Sequence, residues 1–327
     1  MYNYNIKKIL KGDFMKKLLL IFILFCLMFL VGCKSEEENV DIYASIYPVY
    51  FITDEIVQDK LVVKQIYPTG ADVHEYDPGN GKEMVSMSKA KLMFYIGSGL
   101  EGFIEKSKNV FDKQDIKLIE LSNSLKMCKQ TADGFEYLTQ EEMKSTSKVA
   151  DTHVWLDPLR MAKMSEIVLE EVIKIDPENE QFYTDNANAL IQKFIDLDNL
   201  FISKINSEPY DKVIMVDHDS YLYWEERYGI ERIRTRVDNE SCDTIISNVE
   251  EIINKAKERN IKHVVTTKNE TACSFIKKYV DELEAEVVEF NHLSTLYKAD
   301  ADNDEDYFSI MEDNLYLLTK IMPKKAI

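Results

Sequence analysis

From residue 40 onward, short runs of β-branched and aromatic residues alternate with segments whose apolar positions recur every three or four residues. Residues 40–46, 61–67, 92–96 and 117–121 predict strands. Residues 49–57, 81–91 and 102–110 predict helices, with Tyr47-Pro48 as a turn. Residues 126–148 are polar and irregular, which reads as a surface excursion. A proline-started helix then runs to about Lys174. The alternation resumes with strands at 212–216, 230–236, 263–267 and 286–290 and helices at 221–228, 245–260, 272–283 and 307–321. A polar loop at 298–306 precedes the last helix. Strands alternating with helices imply parallel sheets covered by helices, and such sheets take ligands beyond the carboxyl ends of their strands.

One periodic segment is longer than the rest. Asp176-Pro177-Glu178-Asn179 is a stop-and-restart signal, with Asp as the cap and Pro at the first helical position. Beyond it Tyr183, Ala187, Leu190, Phe194, Leu197, Phe201 and Ile205 recur at spacings of three and four. A helix of roughly 28 residues would span about 40 Å. No second heptad run exists to pair with it, so it reads as a rigid strut. The expected fold is α/β: two βα lobes with parallel sheets, at 41–176 and 208–327, joined by one long rigid helix at 177–207.

The first residues follow other rules. Lys16-Lys17 precede an apolar run, 18–31, that ends in Gly32-Cys33. The run is too short to span a bilayer comfortably, so residues 1–32 read as a signal peptide. Leu30-Val31-Gly32-Cys33 resembles a bacterial lipobox, which makes Cys33 the lipidated mature N-terminus and 33–40 its tether. The chain would then sit extracytoplasmically, anchored to the outer face of the cytoplasmic membrane. Met15 is a more natural start than Met1, since Met15-Lys16-Lys17 begins a conventional charged n-region. Cys128, Cys242 and Cys273 remain, an odd number at wide spacing, which is neither a disulfide framework nor a CxxC metal site. The net charge of −18 over 327 residues argues against a nucleic-acid partner.

The chain has five histidines. His74, His153 and His218 each lie just past a strand-like or turn-like segment and beside carboxylates. Any one alone reads best as a loop histidine. Three at equivalent strand ends read as ligands of one divalent cation, with Asp72, Glu75, Asp151, Asp217 and Asp219 available to accept the imidazole N–H turned away from it. His263 starts a strand and reads as structural. Trp155 and Trp224 read as core residues behind the ligands.

The segments at 68–78 and 95–103, the octapeptide 151–158 (Asp-Thr-His-Val-Trp-Leu-Asp-Pro), the 176–179 restart and Val216-Asp217-His218-Asp219 occur in the order found in one family. The chain resembles the zinc/manganese-binding lipoproteins of bacterial ABC transporters, the cluster 9 solute-binding proteins. The resemblance covers nearly all of the chain after Cys33. It implies two lobes around a metal site, a monomeric receptor rather than an enzyme, and a permease and ATPase as partners. It also implies His74, His153 and His218 as ligands. Histidine at the third position implies Zn2+, with Mn2+ as the alternative. The chain departs from the family at the fourth position, where Asn291 stands in place of the usual aspartate. His292 is chemically the better donor and is the expected fourth ligand; Glu289, Asn291 or water are the alternatives. A zinc-dependent hydrolase is the rival from another class, but no HExxH motif is present. A surface adhesin is the other rival.

Overall fold

The computed structural model describes residues 39–71, 73, 76–79, 81–132, 134–143, 150–235, 249–269 and 276–325. The signal segment, Cys33, His74, Asp72, Glu75, Cys242 and Cys273 therefore lie outside the described residues. Val40–Ile327 forms one compact unit.

Within Val40–Ile327 the first sheet holds β1 (Ile42–Ala44), β2 (Val63–Gln65), β3 (Leu92–Tyr95) and β4 (Lys117–Glu120), all parallel, in the order β2-β1-β3-β4. The two inner strands are buried at every residue. Such strands read as unbroken apolar runs because both faces are covered. The connecting helices are α1 (Tyr47–Val57), α2 (Lys82–Met87) and α3 (Gly102–Asp112). Tyr47 and Pro48 are not a turn: they open α1, since proline's fixed φ and missing N–H suit a helix's first turn.

The polar stretch after β4 is more ordered than its composition predicts. It forms an antiparallel hairpin, β5 (Cys128–Thr131) with β6 (Gly134–Tyr137), followed by the short α4 (Gln140–Met143). Then α5 (Pro158–Ile175) leads through a 3-10 turn, Pro177–Asn179, into α6 (Glu180–Ile205). Asp176 does not cap this restart through its side chain; its carboxylate accepts from Asn179 (2.8 Å) and from the Tyr183 hydroxyl. The predicted apolar stripe of α6 is buried at all seven positions.

The second sheet holds β7 (Val213–Val216), β8 (Glu231–Arg234), β9 (His263–Thr267) and β10 (Glu286–Phe290), again parallel, in the order β10-β9-β7-β8. Its helices are α7 (Leu222–Tyr228), α8 (Val249–Glu258) and α9 (Ile276–Leu283). The polar loop before the end contains a short α10 (Lys298–Ala301). The closing α11 (Tyr307–Ile321) starts on a capping box, Asp306 with Ser309.

The packing ties both sheets into one body. Helix α6 packs against α1, α5, α7 and α11. Tyr307 and Phe308 of α11 pack against Phe51 of α1 and Phe194 of α6, with ring centroids 4.9–5.8 Å apart. The larger core accordingly draws residues from Val40 to Met322. A smaller one, including Val213, Met215, Ile253 and Tyr279, belongs to the second sheet alone.

Candidate metal centre

The octapeptide folds as a helix entry. Val154, Trp155 and Leu156 form a fully buried 3-10 turn, and Asp157 caps α5 by accepting the Leu159 N–H at 2.9 Å. This anchored turn holds His153, which is only 4% exposed. Asp151 Oδ1 accepts both the backbone N–H of His153 (2.8 Å) and its ring Nδ1–H (3.0 Å). With the proton fixed on Nδ1, Nε2 carries the lone pair a cation needs. Burial pushes the Asp151 carboxyl up, but the His153 ring and backbone N–H, with Arg232 behind them, outweigh it and hold it below its ordinary value.

His218 follows the carboxyl end of β7 and is also buried. Its Nε2 stands 3.4 Å from Nε2 of His153, with the rings nearly perpendicular at 86°. Zn–N bonds of about 2.0–2.1 Å in a tetrahedron place neighbouring donor nitrogens about 3.3–3.4 Å apart. The pair therefore already has the edge length of a zinc site. The carboxylates flanking His218 have other bonds. Asp217 accepts from the Thr235 hydroxyl (3.1 Å), and Asp219 pairs with Arg232, which also binds Glu225 (2.9 Å) and Gln130 (2.5 Å).

His292 lies beside His218. Its ring stacks on His218 with centroids 5.4 Å apart and planes at 19°, and it is 5% exposed. Its carbonyl accepts the Trp155 indole N–H at 2.6 Å, and its Nδ1 accepts the Ser294 N–H at 3.4 Å. Asn291 acts as a loop brace: its amide donates to Asp300 (3.1 Å), its Oδ1 accepts from Leu293 (3.0 Å), and its main chain is clasped by Asn314. Glu289 is exposed. His263 opens β9. Among the described residues no three His, Cys, Asp or Glu side chains are arranged to hold an ion together. His153 and His218 supply two donors, and His74 lies outside that set.

Aromatic side chains from the second half clamp the octapeptide's main chain. The Tyr223 hydroxyl donates to the Asp151 carbonyl (2.7 Å), the Trp224 indole to Leu156 (2.8 Å) and the Tyr307 hydroxyl to Trp155 (2.6 Å). Trp155 and Trp224 are fully buried, as the sequence predicts. Their polar tips, and the parts played by Tyr223 and Tyr307, were not read from the sequence. The available signal is chemical: a buried Tyr or Trp finds a polar partner.

Two parallel sheets are bridged by one helix, and His153 and His218, from the two halves, meet at a shared buried point. The chain belongs to the ZnuA family, "Zinc-uptake complex component A periplasmic", whose profile matches residues 42–321. The zinc-binding lipoprotein AdcA of Streptococcus pneumoniae (strain ATCC BAA-255 / R6) is 24% identical over 325 residues, covering 95% of this chain. The chain spans 64% of that relative's length. The high-affinity zinc uptake system protein ZnuA of Bacillus subtilis (strain 168) is 22% identical over 284 residues, covering 87% of this chain and 88% of that one. The crystal structure of the Zn(II)-bound ZnuA-like domain of Streptococcus pneumoniae AdcA superposes with a TM-score of 0.70 at 22% identity, covering 87% of this chain and 99% of that one. At such identity the likeness establishes the fold.

Proposed function

We propose that the protein is a lipid-anchored, extracytoplasmic, monomeric receptor. It captures a divalent transition metal, Zn2+ in preference to Mn2+, and delivers it to the permease and ATPase of an ABC transporter. The observation that carries this reading is the pair of buried Nε2 atoms, His153 and His218, 3.4 Å apart and supplied by opposite halves. Residues 41–176 contribute His74 and His153, residues 208–327 contribute His218 and His292, and the helix in 177–207 keeps the halves in register. The bond from Ser294 to His292 is long at 3.4 Å, so little is lost when that ring turns to the cation. Four neutral imidazoles suit Zn2+, whereas hard oxygen donors suit Mn2+. The metal is cargo, bound and released unchanged. Export through residues 1–32 and anchoring at Cys33 follow from the lipobox-like sequence. Isothermal titration of the chain beginning at Ser35 tests the reading. One Zn2+ per chain with a dissociation constant below about 1 μM, and weaker Mn2+ binding, is expected; no binding of either metal overturns it.

A further inference from the structure

We infer that Tyr223 is a positioning residue for the metal pair, its hydroxyl fixing from the second half where His153 of the first half stands. The inference rests on the receptor reading above. Tyr223 lies in the first turn of α7, five residues after His218, and is fully buried. Its hydroxyl reaches two main-chain groups of the first half: it accepts the Cys128 N–H at 3.3 Å and donates to the Asp151 carbonyl at 2.7 Å. Asp151 is thereby held at both ends of its main chain, since its own N–H donates to the Cys128 carbonyl at 2.8 Å. Its carboxylate has both His153 bonds. The tyrosine ring is fixed in turn by the Arg160 guanidinium, 4.2 Å from the ring centroid. Arg160 is held by Asp157, Glu226 and the Lys126 carbonyl.

The helix that follows one ligand thus grips, through a single oxygen atom, the residue that orients the other. A cation senses the separation of its donors within a few tenths of an ångström, and partners one bond removed from a ligand are worth about 10–100-fold in metal affinity. Phenylalanine at 223 would keep the ring and its contact with Arg160. It would release Asp151 and leave two buried main-chain groups unsatisfied. Tyr228, on the same helix, is the matched control: its hydroxyl is also buried, but its hydrogen bond runs to Asp198 of α6 (3.1 Å).

The test is the full receptor carrying Tyr223→Phe or Tyr228→Phe, with Zn2+ affinity read by competition against a chromophoric chelator. The visible spectrum of bound Co2+ reports coordination, and thermal melting reports stability. Tyr223→Phe is expected to weaken Zn2+ binding about 10–100-fold and to shift the Co2+ bands. Tyr228→Phe lowers the melting temperature and leaves affinity and spectrum as they were. Tyr223→4-aminophenylalanine, which keeps a donor toward Asp151, restores both affinity and spectrum, and it decides the matter if Tyr223→Phe does not fold. Unaltered affinity and Co2+ bands in Tyr223→Phe, or failure of the amino variant to restore them, overturns the inference. If the unsubstituted protein binds neither metal, the receptor reading fails and this inference with it.

Discussion

His153 can offer Nε2 because Asp151, two residues earlier, takes both its ring and its main-chain N–H. Asp151→Asn keeps the size and loses the charge that fixes the tautomer. Zn2+ affinity is expected to fall about 10–100-fold while circular dichroism stays unchanged; unaltered affinity in a titration would contradict this role. A second carboxylate sets part of the acid stability. Arg259 clasps Asp211 through two nitrogens, one at 2.7 Å, and holds its carboxyl below the ordinary value. Because the folded value is the lower one, the stabilisation is complete above about pH 4 and fades as the pH falls through that folded value. Asp211→Asn should cost about 1 kcal/mol near neutrality and flatten the acid limb of a pH–denaturation series. The ligand candidates were legible because histidine is scarce and because His153 and His218 directly follow recognisable local signals. Tyr223 was not legible as a partner of Asp151, since 72 residues separate them and neither local pattern points to the other.

At the scale of elements, the turn after β3 is fixed by carboxylates. Glu101 accepts the N–H groups of Ile96 and Gly97, and Glu120 accepts that of Ser98. Gly97 has φ +84°, and a Cβ there would lie 2.2 Å from the Glu120 side chain. Gly97→Ala should therefore destabilise by about 1–3 kcal/mol. The melting temperature should drop by several degrees; an unshifted melt would mean the turn relaxes freely. Long periodic elements such as α6 were readable from the sequence to within a few residues. The β5–β6 hairpin was not. Apart from the buried Cys128 its residues are mostly polar and only partly buried, and tertiary bonds such as Arg232 to Gln130 help to hold it.

For the whole molecule, the strand–helix alternation correctly forecast two parallel sheets and a connecting helix. It could not show that α11 would pack on α1, because an amphipathic stripe says that a face is buried and not against what. That packing gives both halves a common core. Calorimetry of the metal-free protein should accordingly show one unfolding transition, with calorimetric and van't Hoff enthalpies in agreement. Two resolved transitions would mean the halves melt independently.

The bond from Tyr307 to the carbonyl of Trp155 joins residues 152 apart, one of them in the final helix. A chain made from its amino end must carry the octapeptide without this latch until Tyr307 has emerged. Contacts so distant in sequence form late and slowly. The Trp155 carbonyl thus gains this partner only after residues 156–306 have been made. Loss of the closing helix, far along the chain from His153, would leave every earlier segment in place and still take this latch from beside the histidine.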